Sequence, residues 1–134
     1  MDDGALPQPN GAGKTTLIKC ITGAEATRMD DGDVFVAEKS CKTELDSARK
    51  FMGVCPQFDA LLEDLTAREH LRLFARIRGV PAEQLEGAIS QYVAALDLQE
   101  KADMRVGTYS GGNKRKLSVA MSMISNPRAV FLDE

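Results

Sequence analysis

No uninterrupted apolar run in the 134 residues approaches the roughly 20 needed to cross a bilayer, so any membrane contact must come through a partner or through chain outside these residues. Positive charge is not in excess. Seventeen Lys and Arg face twenty Asp and Glu, for a net charge of −3 and a pI near 5.2, which argues against a general electrostatic grip on nucleic acid. Cys20, Cys41 and Cys55 are odd in number and not in a CxxC spacing. That argues against a disulfide framework or a zinc site and favours reduced, partly buried thiols in the cytosol. Met1-Asp2-Asp3-Gly4 is acidic and no apolar run follows, so it is not a secretory signal. There is no internal repeat and no low-complexity segment. What remains is an apolar fraction of 43% and a charged fraction of 28%, enough for one globular domain or part of one.

The pattern along the chain predicts an α/β order. Leu17, Ile18 and Ile21 fall on one face of a short helix from about Gly13 to Gly23. Asp31-Gly32-Asp33 reads as a turn, and Val34 to Val36 as a short strand. Asp46 to Lys50 reads as helical, and Phe51 to Cys55 as a buried strand stopped by Pro56. Thr66-Ala67-Arg68-Glu69 is a capping box. The helix it opens carries His70, Leu71, Phe74 and Ile77 on its apolar stripe and ends at Gly79 and Pro81. Pro81 suits the first turn of a second helix, with Leu85, Ile89 and Leu96 inward. A third helix begins after Ser110 and carries Leu117, Ala120, Met121 and Ile124. Ala129 to Leu132 is apolar enough for a central strand of a parallel sheet.

Four short segments carry chemistry. In Asn10-Gly11-Ala12-Gly13-Lys14-Thr15-Thr16, the glycines let main-chain N–H groups turn toward phosphate oxygens, and the following helix dipole favours the same charge. Lys14 can reach the β- and γ-phosphates, the Thr15 hydroxyl can ligate Mg²⁺, and Thr16 can reach the α-phosphate. The plainer reading is a glycine-rich helix entry with an exposed lysine, but that requires two threonines and a tight glycine spacing to coincide. The pattern GxxxxGK[ST] departs at its first position, where Gln8 replaces glycine ahead of Pro9. Met1 to Pro7 also lack the β-branched run of a feeding strand, so this reads as a damaged or non-native start to the domain. Ser110-Gly111-Gly112 opens a helix with a hydroxyl and bare amides, a second anion-binding start. Val130-Phe131-Leu132 delivers Asp133 and Glu134 to the C-terminal edge of a strand. Asp133 suits Mg²⁺ held through water, and Glu134 suits orienting or deprotonating an attacking water.

Taken in order, PNGAGKTT, GVCPQ, YSGGNKRK and VFLDE resemble the nucleotide-binding domain of an ATP-binding cassette (ABC) protein. The resemblance covers nearly the whole chain after Pro9. Tyr109 and Asn113 stand where the common signature has leucine and glutamine. Tyr109 to Ser118, together with Cys55 to Leu61 and Arg68 to Leu71, is similar to subfamily A, associated largely with lipid export. The resemblance implies a P-loop NTPase core with a mainly parallel sheet and an inserted helical subdomain, about 61–125, ending in the signature helix. It implies ATP and Mg²⁺ as cofactors, with Thr15, Gln57 and Asp133 at the metal. It implies catalytic roles for Glu134 and for Gln57, which touches metal and water and moves with the membrane partner. It also implies a head-to-tail dimer in which Tyr109, Ser110, Gly111, Gly112 and Asn113 close over ATP held by a second nucleotide-binding domain. The partners are then that domain and the transmembrane domains of a transporter, with no nucleic acid, at the cytoplasmic face of a membrane.

Some residues receive plainer readings. His70 is the only histidine, and it lies on the apolar side of its helix, so the family's γ-phosphate histidine is not transferred to it. Arg68, Arg72 and Arg76 at i, i+4, i+8 read as a solvated face. Met52, Met121 and Met123 read as core. The expected function is an ATP-binding and ATP-hydrolysing domain powering transport, with lipid as the expected cargo. The expectation includes truncation at both ends and little or no hydrolysis by this chain alone. The alternative is a truncated, non-hydrolysing cassette acting as a weak nucleotide-binding or interaction module. A soluble superfamily member would carry twin cassettes or coiled insertions. A small-molecule kinase would have no use for Ser110-Gly111-Gly112.

Overall fold

The computed structural model describes residues 13–24 and 29–133. Helix α1 (Lys14–Thr22) starts at Gly13 and ends at Gly23, both in the left-handed region at φ 88° and 64°. Only glycine enters that region without steric cost. Strands β1 (Phe35–Val36) and β2 (Lys39–Ser40) form an antiparallel hairpin. Its loop residues Ala37 and Glu38 both have positive φ, at 50° and 64°, the geometry a two-residue hairpin turn demands. Asp33 fastens the hairpin by accepting bonds from the Val34 and Lys42 amides and the Ser40 hydroxyl. These bonds hold its carboxyl below the ordinary range, the Ser40 hydroxyl most strongly.

Helix α2 (Leu45–Arg49) leads into β3 (Met52–Cys55), which runs parallel to β4 (Ala129–Leu132) with Met52 opposite Ala129 and Cys55 opposite Leu132. Between these strands lie α3 (Ala67–Ile77), α4 (Ala82–Ala95) and α5 (Gly111–Met123). The capping box at Thr66 forms fully. The Thr66 hydroxyl accepts the Glu69 amide, and the Glu69 carboxylate accepts the Thr66 amide. The larger core joins Leu71, Ala75, Leu85, Ile89, Val93, Leu98, Val106, Leu117 and Met121 from these three helices and their connections. A smaller core joins Ile21, Val36, Cys41, Ala48 and Met52. At Gly53 the strand presses so close to α5 that a Cβ would run into the Ser122 carbonyl oxygen.

Several expectations are corrected. β2 was not expected, because Ala37-Glu38 contains none of the usual turn residues. β4 is not central among the described residues. It pairs with β3 alone, and Leu132 at its end is 50% exposed. β3 is not buried throughout, since Val54 faces outward between buried Gly53 and Cys55. Leu17, Ile77 and Met123 are exposed. Small Ala67 and Ala75 take the buried places on α3 instead. Pro81 stands just before α4 as its N-cap. Cys20 is half-buried, Cys41 and Cys55 are buried, and all three are free thiols as expected.

Candidate nucleotide site

Gly13 turns the chain into α1, so the amides of Lys14, Thr15 and Thr16 open the helix without intrahelical acceptors. Thr15 is drawn to the other end of the molecule's sequence. Its hydroxyl donates to Asp133 Oδ1 at 2.9 Å, across 118 positions. Asp133 stands just beyond β4, where its amide donates to the Cys55 carbonyl at 3.0 Å and continues the parallel ladder. The residue is buried. A threonine hydroxyl and a carboxylate side by side are hard oxygen donors, and such a pair suits Mg²⁺. That ion takes one or two protein ligands and fills its remaining positions with phosphate and water. Among the described residues no cluster of three or more His, Cys, Asp and Glu forms.

Gln57 lies in the exposed loop between β3 and α3. Ser110 caps α5, its hydroxyl accepting the Asn113 amide at 3.3 Å. Gly111 and Gly112 are exposed, and a Cβ at either would meet no other atom within 4 Å. Tyr109 is buried just before them, and its hydroxyl donates to the Lys101 carbonyl. Burial, and secondarily Asp103, raises that phenol's pKa above the ordinary tyrosine value. Asn10, Gly11, Ala12 and Glu134 lie outside the described residues, as do Gln8 and Pro9. Thr15 and Asp133 are therefore the predicted site residues in direct contact.

His70 is a packing residue, as expected. It is 1% exposed. Its Nε2 accepts the Leu62 amide at 2.9 Å, and its Nδ1 lies 2.9 Å from the Thr66 carbonyl, which assigns the neutral Nδ1–H tautomer. Arg68 and Arg72 pair with Asp103 and Glu86 at 3.1 and 2.8 Å, as a solvated face allows.

Sequence reasoning gave no role to Arg115, Arg78 or Ser118. Arg115, on the second turn of α5, bonds the Pro56 and Asp133 carbonyls at 2.6 and 3.0 Å. Its signal was the basic run Lys114-Arg115-Lys116, but a run does not say which member turns inward. Arg78 donates to the Met52 carbonyl and to Ser125, and burial lowers its pKa below the ordinary arginine value. It lines a cavity of about 210 Å³ with Gly53, Val54, Phe74, Ser118 and Met121. The buried Ser118 Oγ has no hydrogen-bond partner among the described residues. Cys55, between these features, is held as a neutral thiol. Burial raises its pKa most, Arg115 opposes this, and Asp59 adds to it.

A helix opened by Gly13-Lys14-Thr15-Thr16 and tied to an aspartate at a parallel strand end defines a phosphate-loop nucleotide-binding domain. A family model described as "ABC transporter" matches residues 5–134, and the chain belongs to that family, as part of its ATP-binding domain. It is 53% identical over 125 residues to the human "Retinal-specific phospholipid-transporting ATPase ABCA4", covering 93% of this chain and 5% of the relative. It is 46% identical to the rat "Phospholipid-transporting ATPase ABCA3", over 93% of this chain and 7% of that protein. It is 44% identical to "ABC transporter A family member 2" of Arabidopsis thaliana, over 94% of this chain and 13% of the relative. The chain thus spans a small fraction of the length of these relatives. Among solved structures, an ATP-binding subunit of an ABC transporter superposes with a TM-score of 0.79 at 26% identity. That match covers 94% of this chain and 52% of the other. The subfamily-A resemblance and the P-loop α/β fold expected from the sequence agree with these relatives.

Proposed function

We propose that the chain binds MgATP and, within a transporter, hydrolyses it to drive movement of phospholipid across a membrane. The observation that carries this reading is the Thr15–Asp133 contact of 2.9 Å, which pairs the two groups a nucleotide-bound Mg²⁺ needs. Asn10 to Thr16 hold the phosphates through main-chain amides and Lys14. A bound Mg²⁺ would supply positive charge against the charge that develops during phosphoryl transfer. Thr15, Asp133 and Gln57 would hold that ion, and Glu134 would orient or deprotonate the attacking water. The Gln57 loop is exposed and so within reach of a moving partner.

Tyr109 to Asn113 form the half-site offered to a second nucleotide-binding domain. The open space around Gly111 and Gly112 supports this, because neither packing nor a positive φ within the described residues calls for glycine there. The helices from about 61 to 125 act as the inserted subdomain. Transmembrane domains dock beside it, over the cavity lined by Val54, Phe74 and Arg78 and the exposed Phe58, Leu62, Leu73 and Ile77. No helix among the described residues is long and apolar enough to cross a membrane. A place at the cytoplasmic face, beside transmembrane domains, rests on the family match. Phospholipid as cargo rests on the names of the relatives.

Equilibrium binding of a fluorescent ATP analogue with Mg²⁺ tests the reading, with Lys14→Ala as control. Saturable binding that the substitution abolishes is expected. Binding that is absent, or equal in both proteins, refutes it and leaves a cassette without a working nucleotide site.

A further inference from the structure

We infer that Arg115 is a positioning residue that locks the Gln57 loop and the metal-side aspartate to the signature helix, an inference that rests on the MgATP reading above. One guanidinium reaches two segments distant in sequence. Nη1 donates to the Pro56 carbonyl at 2.6 Å and lies 3.4 Å from Asp59 Oδ1. Nη2 donates to the Asp133 carbonyl at 3.0 Å. Pro56 and Asp59 flank Gln57 on both sides, so the loop carrying it is held at two points. The main chain of Asp133 is likewise held from both sides, through its amide by Cys55 and through its carbonyl by Arg115. With both peptide planes fixed, the Asp133 carboxylate is aimed at Thr15. That same carbonyl belongs to the peptide bond linking Asp133 to Glu134.

An isolated surface ion pair would contribute little. Arg115 differs because its planar fork spends its donors on carbonyls of two segments, and its side chain is only 32% exposed. Lysine carries the same charge but presents a point donor that cannot span both. Arg115 stands five residues after Ser110, so a shift of the α5 start is carried to Gln57 and Asp133 through one side chain. The signature segment that meets a second domain is thereby tied to the metal side of its own site.

The test uses the whole chain with Arg115→Ala and Arg115→Lys, measuring ATP-analogue affinity in Mg²⁺ and in EDTA. Loss of a charge-assisted bond to Asp133 is expected to weaken Mg²⁺-dependent binding about tenfold. Affinity in EDTA is expected to stay within about twofold, because only the metal side moves. Lysine should recover little of the loss. In the ligand-free chain, hydrogen exchange at residues 57–60 and at the Asp133 amide should rise in the alanine variant, with α3 and α4 unchanged. Equal losses with and without Mg²⁺, full recovery by lysine, or unchanged exchange overturns the inference. If the unsubstituted chain binds no nucleotide, the MgATP reading fails, and the exchange comparison still decides whether Arg115 holds the two segments.

Discussion

Replacing His70 with alanine separates a packing histidine from one that serves nucleotide. The ring is 1% exposed and uses both nitrogens within the chain. Its removal empties an aromatic-sized space, which costs about 2–3 kcal/mol after partial collapse. It also strands the Leu62 amide, for about 1–2 kcal/mol more. The Thr66 carbonyl keeps its helical bond from the His70 main-chain amide, so no second orphan is counted. The sum is about 3–5 kcal/mol, or roughly 10–18 °C in melting temperature for a domain of this size. Thermal melting by circular dichroism reads the loss, and ATP-analogue binding below the new transition reads function. The expected result is a large fall in melting temperature with affinity nearly intact. A fall under about 3 °C, or lost binding at unchanged stability, would refute the packing argument.

Three further outcomes are expected. Gly53→Ala drives a Cβ into the Ser122 carbonyl and should destabilise by about 1–3 kcal/mol through forced separation of β3 and α5, read as a lower urea midpoint; an unchanged midpoint would show that the strand shifts freely. Asp133→Asn keeps an acceptor for Thr15 but removes the charge, so Mg²⁺ should no longer strengthen nucleotide binding while binding in EDTA persists; calorimetry with and without the ion decides. The Glu69 carboxyl is held below its ordinary value of 4.5, first by the Thr66 amide and then by its hydroxyl. Its folded value is the lower one, so its stabilisation is complete above 4.5 and disappears as pH falls from there through the folded value. Glu69→Gln should flatten that part of the acid-stability profile, and an unaltered profile would remove the carboxylate from the cap.

Local signals were legible where the chemistry is local. Thr66 and Glu69 announce a capping box because each satisfies an amide three residues away, and Gly23 marks the end of α1 by its left-handed conformation. The hairpin was invisible because Ala37 and Glu38 adopt positive φ under tertiary restraint, with Asp33 and Ser40 holding the flanks. β3 and β4 were each readable as strands, but their pairing and the exposure of Val54 and Leu132 depend on what covers each face. At the site, spacing nominated Thr15 and Asp133 separately; only the fold brings them together. Arg115 was hidden among three consecutive cations, and its direction follows from the phase of α5 against β3 and β4.

The division of burial follows from what each part must do. Asp133 is buried and its main chain is bonded at both its amide and its carbonyl, so on the proposed MgATP reading its carboxylate would lose little freedom on binding the ion. Such preorganisation matters most for a divalent ion, whose ligands must meet a narrow geometry. Gln57 and Ser110 to Gly112 are exposed, which leaves them available to groups this chain does not supply. A contact made by a second protein must be both accessible and registered to the fixed corner. Arg115 meets both demands at once, because it leaves the signature end of α5 open while fastening the next turn to Pro56 and Asp133. If a second domain docks at Ser110 to Gly112 as proposed, a substitution that loosens Arg115 should uncouple it from Asp133 before it unfolds either helix.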